Sequence, residues 1–231
     1  MLDLLNQWDA WLFTAINSHH SPFFDCYFWI VTNRFTWVVM YMALAYLLLR
    51  HDWRRGLAVI AVVGLVVLLA DQLSSSVIKV LVERPRPSHE PTLTAVHLVN
   101  GYAGGPYGFV SSHAANMIGV ALTLSLAFRY RLFTMAALLW TAIVCYSRIY
   151  LGVHYPGDIV GGLIVGGAAA ALLWWAFSRI APRLRIAPFT QRHQQAKKAA
   201  IVIIAYNLGV VIVAILAFAF LWFPFMKEAA A

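Results

Sequence analysis

Three short segments of the chain hold polar side chains whose types and spacing suit the handling of a phosphate group. In KVLVERPRP, Lys79 to Pro87, proline at 85 disfavours helical geometry at Arg84. A helix therefore ends near Glu83, with Lys79 in its last turn and Arg86 in extended chain. In GFVSSHAAN, Gly108 to Asn116, Ser111 or Ser112 reads as an N-cap and His113 enters the first helical turn, where free amides and the positive dipole end seat an anion. In SRIYLGVHYPGD, Ser147 to Asp158, Arg148 ends one helix and Pro156 opens the next. His154 falls in the turn, and Asp158 is near enough to accept its hydrogen bond, which fixes the imidazole tautomer and raises its basicity. Jointly, Lys79, Arg86 and Arg148 can neutralise a phosphoryl group, His154 can attack phosphorus, and His113 can protonate the departing oxygen. The nearby carboxylates Glu83, Glu90 and Asp158 do not make the oxygen-rich cage of a divalent cation, so no metal or cofactor is expected.

Taken singly, each segment has a plainer reading: basic side chains snorkelling to headgroups, a capped helix with an interfacial histidine, a carboxylate acting as a cap. The plainer readings fail together because of where the segments must lie. Of 231 residues 62% are hydrophobic and 11% charged, against roughly 25% charged in soluble domains. A soluble core of this length cannot hide that much apolar surface, so the class is all-α and membrane-embedded.

Residues 199–223 carry no charge, and about 20 apolar residues suffice to cross a bilayer as a helix. Further spans read at about 24–49, 56–82, 112–128, 132–149 and 157–177, which makes six transmembrane helices. Leu5, Trp8, Leu12 and Ile16 recur at helical spacing within residues 2–17, which predicts an amphipathic helix lying in the interface. Asp3 and Asp9, with no basic start, argue against a cleavable signal peptide. The whole chain, 1–231, reads as a single integral membrane domain with a motif-bearing core at about 56–178 and an extra C-terminal helix at 199–223.

Lys and Arg favour cytoplasmic loops. Arg50, Arg54, Arg55, Arg129, Arg131, Arg179, Arg183, Arg185, Arg192, Lys197 and Lys198 fall in three connections on one face of a six-span chain. Arg34, Lys79, Arg84, Arg86, Arg148 and Lys227 fall on the opposite face, where cations are scarce and need a local reason. All three motif segments meet on that outer face. The net charge of +8 is thus mainly a topology signal, with no nucleic-acid partner implied.

The motifs resemble those of the type 2 phosphatidic acid phosphatase superfamily, KxxxxxxRP, PSGH and SRxxxxxHxxxD. Lys79, Arg86 and Pro87 match the first in full, and Ser147, Arg148, His154 and Asp158 the third. In the second, Ser111 and His113 match, while Val110 stands where proline is usual and Ser112 where glycine is usual. The resemblance implies a phosphohistidine at His154 oriented by Asp158, His113 as general acid, and phosphate binding by Lys79, Arg86, Arg148 and the Ser111–Ser112 segment. It also implies a bilayer-embedded lipid phosphatase. Small size and minimal loops suggest a bacterial cytoplasmic (inner) membrane with the site facing the periplasm or outside.

Among the substrates the resemblance allows, undecaprenyl diphosphate or lipid A is favoured, with phosphatidylglycerol phosphate or phosphatidic acid as alternatives. A catalytically silent lipid-phosphate binder is a further reading. A transporter would need polar residues spread through several spans, and only Asp71 and Gln72 approach that. Asp71 is expected to be hydrogen-bonded inside the bundle, Gly161, Gly162, Gly166 and Gly167 to allow close helix contact, and Cys26 and Cys145 to be buried. His19, His20, His51 and His193 are expected to be solvated.

Overall fold

A computed structural model describes residues 2–50, 52–93, 95–184, 186 and 193–222. The cations Arg185, Arg192 and Lys227, together with His51 and the last residue of the 199–223 span, lie outside them. Among the described residues there is no strand, only one isolated antiparallel bridge, Pro85 with Tyr107. The fold is all-α.

The chain runs through α1 (Leu2–Asn17), α2 (Pro22–Thr32), α3 (Val38–Leu49), α4 (Trp53–Asp71), α5 (Lys79–Val82), α6 (Ser112–Phe128), α7 (Arg131–Tyr150), α8 (Pro156–Ile180) and α9 (His193–Ala217). A π-helical turn, Gln72–Ile78, joins α4 to α5, giving one continuous span over Trp53–Val82. With Arg131–Tyr150, Pro156–Ile180 and Gln194–Phe220, that makes four helices among the described residues long and apolar enough to cross a bilayer.

The first span departs from the expectation of one helix over about 24–49. It is broken at Asn33, and its halves meet at 66°. Asn33 Oδ1 accepts from Phe35 N (2.9 Å) to start a short 3-10 turn, Arg34–Trp37. Thr36 Oγ1 and Trp37 Nε1 then donate to the carbonyls of Ile30 and Val31 at 2.6 and 2.9 Å, satisfying the helix end at the break. The third expected span, α6, is apolar and has 17 residues, about 25 Å at 1.5 Å per residue.

α6 is the centre of the bundle, its buried face running from Ala114 to Phe128. α8 can lie directly on it because Gly162 and Gly166 face the backbone of Ser111 and Ala115, where a Cβ has no room. Gly161 faces Phe109 and Val110, and Gly167 is only loosely opposed. α9 closes the bundle beside α2, α3 and α7. Its Tyr206 hydroxyl donates to Thr36 O at 2.5 Å and Gln195 Nε2 to Leu47 O at 3.3 Å. Cys26 and Cys145 are buried and free.

α1 is amphipathic as expected, with Leu5, Trp8 and Leu12 exposed. Its inward face carries Phe13, which is buried, and Asn17, whose Nδ2 donates to the carbonyls of His97 and Tyr150 at 3.0 and 2.8 Å. These bonds tie α1 to the end of α7 where the motif segments gather.

Candidate active site

α5 stops at Glu83, whose left-handed backbone (φ 49°) ends the helix just before Pro85, as the prolines require. The chain then pairs back on itself. Arg86 N donates to Pro106 O (3.0 Å) and Gly108 N to Arg84 O (2.9 Å), which holds the Arg86 segment against the entry to α6. Gly108 sits where a Cβ would meet Asp158 Oδ2 at 2.7 Å, so only glycine lets this strand of chain pass.

Ser111 is the N-cap of α6, its Oγ accepting from Ala114 N at 3.4 Å, and its own N–H donates to Asp158 O at 2.9 Å. Its side chain is fully buried and does not line the cavity described below. The hydroxyl that does line it is Ser112, which accepts from Lys79 Nζ at 2.8 Å and shares a 2.8 Å bond with Ser75 Oγ. α8 opens on Pro156 as expected, and Asp158 in its first turn accepts from Tyr155 N at 3.0 Å.

His154 and Asp158 form the expected pair. The imidazole Nδ1 lies 3.2 Å from Asp158 Oδ2, both side chains almost wholly buried. Asp158 accepts only, so the proton is assigned to Nδ1, and Nε2 keeps its lone pair. Arg86 Nη1 donates to that Nε2 at 3.3 Å and to Val153 O at 3.2 Å, while its Nε donates to Tyr107 O at 3.0 Å. Burial, reinforced by Arg148, Arg86 and Lys79, holds His154 well below the ordinary imidazole value of 6.5. That shift favours the neutral ring, which leaves the Nε2 lone pair available.

Lys79, Arg86, His113, Arg148 and His154 line one cavity of about 630 Å³, together with Ser112 and, further in, an apolar wall including Trp37, Val63, Val67, Val120 and Val144. Arg148 Nη1 donates to Thr32 Oγ1 at 2.6 Å, a contact delivered by the end of α2 just before the break. Its Nε is buried without a hydrogen-bond partner. Among the described residues, Lys79, Arg86 and Arg148 form no salt bridge. Three cations without salt bridges among the described residues, around a ring nitrogen with a lone pair, have the chemistry to attract an anion.

Sequence reasoning missed what stands behind this pair. Arg84 bridges Asp158 Oδ1 (3.0 Å) and Asp9 Oδ2 (2.7 Å), stacked over Tyr155 at 4.2 Å. Asp9, from α1, also accepts from Gly157 N at 2.7 Å. A contact 148 residues long has no local signature; the one clue was a cation before a proline on a face that disfavours cations. Asp71 is hydrogen-bonded within the bundle as expected, accepting from Asn116 Nδ2 at 3.3 Å.

Residues 57–182 match the model of the PAP2 superfamily, which covers all three motif segments. The chain belongs to the PAP2 superfamily. A lipid A 4'-phosphatase of Bacteroides thetaiotaomicron is 38% identical over 80% of this chain and 84% of its own length. A lipid A 4'-phosphatase of Porphyromonas gingivalis is 41% identical over 67% of this chain and 66% of its own. Among solved structures, a PAP2-type phosphatidylglycerolphosphate phosphatase of Bacillus subtilis superposes with a TM-score of 0.58 at 21% identity, over 77% of this chain and 88% of that one. LpxE of Aquifex aeolicus superposes with a TM-score of 0.55 at 23% identity, over 71% and 93%. The PAP2 fold expected from the motifs is thus present, and the chain is a membrane lipid phosphatase of the PAP2 type, a hydrolase of lipid phosphate esters.

Proposed function

We propose that this PAP2 protein removes the terminal phosphate of a lipid phosphate through a covalent phosphohistidine. The observation that carries the reading is His154, its Nδ1 backed by Asp158 and its Nε2 beside Arg86, lining the same cavity as Lys79, Arg86 and Arg148. The cations neutralise the phosphoryl oxygens as the Nε2 lone pair forms the P–N bond. The P–O bond to the lipid breaks, and His113, lining the same cavity, gives its proton to the departing oxygen. In the second half a water attacks phosphorus, His113 takes its proton, the P–N bond breaks, and inorganic phosphate leaves with the lone pair restored to Nε2.

The similarity to lipid A 4'-phosphatases favours a lipid A phosphate over undecaprenyl diphosphate, and over phosphatidylglycerol phosphate or phosphatidic acid. Counting the broken α2–α3 pair and the short α6 as spans makes six, and the preference of Lys and Arg for cytoplasmic loops then supports a bacterial inner-membrane orientation with the basic connections in the cytoplasm and the site on the periplasmic side. The chain acts as one membrane phosphatase domain over 1–231, with α9 an addition to the motif-bearing core.

Phosphate release from lipid A, undecaprenyl diphosphate and phosphatidic acid in detergent tests the reading. His154→Ala is expected to abolish turnover, and the wild type to retain it in chelator. Acid quenching of labelled wild type should trap a phosphorylated chain that His154→Ala lacks. Turnover surviving His154→Ala, or lost on chelation, overturns the mechanism.

A further inference from the structure

The cavity is not uniformly apolar below the phosphate seat. Asp71 lines it, in the same continuous helical path as Lys79 and eight residues earlier. Asn116 lines it as well, one turn below Ser112 on α6, so the carboxylate it holds lies on the order of 6 Å deeper than the seat. The Asp71 Oδ1···Nδ2 Asn116 bond of 3.3 Å is the only hydrogen bond to the Asp71 side chain among those of the described residues. Asn116 Oδ1 is buried with no partner. Tyr41, another polar group of the lining, directs its hydroxyl at Met117 Sδ, 3.9 Å away. Arg34 lines the cavity as well, and it is at the Asp71–Asn116 pair that the wall leaves lone pairs without matching protons.

That pattern discriminates among lipid phosphates by what lies just below their phosphate. A polyprenyl diphosphate sets its second phosphate there, whose negative charge opposes the carboxylate, with only hydrocarbon beyond it. Phosphatidic acid offers only ester carbonyls, which set acceptor against acceptor, whereas the free glycerol hydroxyl of phosphatidylglycerol phosphate is a donor. An N-acylated lipid phosphate offers amide N–H and hydroxyl protons a few bonds from the ester, able to make a charge-assisted bond to Asp71.

We infer that Asp71, held by Asn116, is a specificity-determining subsite for a hydrogen-bond donor carried by the substrate a few bonds from its phosphate ester. The inference rests on the phosphatase reading above and narrows it.

The test compares ceramide 1-phosphate with phosphatidic acid of matched chain length, both in detergent, as the ratio of their kcat/KM values. The wild type is expected to favour ceramide 1-phosphate by about tenfold or more, since a site built for a donor rejects analogues that lack it. In Asp71→Leu the ratio should fall towards one. Asp71→Asn, isosteric and safer to fold, should lower it by a smaller factor. Thermal melting of each variant reports its folding independently of turnover. A wild-type ratio near one, or a ratio that neither variant moves, overturns the subsite while leaving the phosphatase intact. Wild type that releases phosphate from no lipid in the panel overturns the phosphatase reading, and the subsite with it.

Discussion

The two flanks of His154 are built on opposite principles. Behind Nδ1, every charge is matched: Asp158 takes Tyr155 N, the imidazole and Arg84, and Arg84 is in turn shared with Asp9. In front of Nε2, Lys79, Arg86 and Arg148 have hydrogen-bond partners but, among the described residues, no carboxylate in salt-bridge contact. Uncompensated like charges around a buried ring cost stability, and a fold keeps them where an anion repays the cost in use. The paired flank positions and the unpaired flank binds. Each of the following changes is chosen to break or sharpen that division.

The largest effect after loss of His154 itself belongs to the unpaired flank. Arg148→Ala removes a buried, forked donor, and Lys79→Ala a point charge. Each should lower kcat/KM by about 10²–10³, the range for deleting one donor aimed at developing negative charge. Both variants should melt no lower than wild type, because removing one of three mutually repelling cations relieves the empty site. Melting well below wild type with activity largely kept would show that the cations are structural.

On the paired flank the effect is smaller and has a different signature. Asp9→Asn leaves Arg84 with Asp158 as its only carboxylate, drawing the Asp158 charge away from His154. A drop in kcat of roughly tenfold is expected with KM little changed, on the scale of one charge-assisted hydrogen bond. Arg84→Gln should cost a similar factor, and the double variant no more than Arg84→Gln alone, because Asp9 acts through Arg84. Additive losses would separate α1 from the chemistry and reduce it to an anchor.

The division between flanks also sets how much could be read before the fold was known. His154, Asp158, Lys79, Arg86 and Arg148 were legible because they sit at helix ends, where prolines and caps announce the geometry within a few residues. Four of the spans were legible from hydropathy alone, while α6 is a shorter apolar helix and the break at Asn33, a capping residue followed by Arg34 inside an apolar run, carries no hydropathy signal. Which of Ser111 and Ser112 faces inward could not be decided, since an N-cap and its neighbour differ by one residue and the packing of α8 selects between them. Asp9 was read only as evidence about the N-terminus. Its bond to Arg84 joins helices far apart in sequence, and no periodicity encodes that.

A pH profile tests the front flank without removing the nucleophile. Burial, with Arg148, Arg86 and Lys79 after it, lowers the His154 value well below 6.5. The acid limb of kcat/KM, which reports protonation of the free enzyme's base, should therefore lie below that pH. Arg86→Gln takes away one cation, so protonated His154 becomes less costly, its value rises, and the limb moves to higher pH. A limb unmoved by Arg86→Gln would mean that it belongs to another group.

The smallest change asks on which flank Ser112 belongs. Its hydroxyl holds Lys79 Nζ at 2.8 Å and is itself tied to Ser75, so in the empty site it occupies a donor that the phosphate would otherwise use. Glycine, the usual residue of the family motif at this position, would release Lys79. If Ser112 only parks the lysine, Ser112→Gly should lower KM by up to about threefold, because one modest hydrogen bond no longer competes with the phosphate. If the hydroxyl itself donates to a phosphate oxygen, the same variant should raise KM by a comparable factor. The sign of the KM change decides between the two, and with it whether the serine tempers the anion seat or forms part of it.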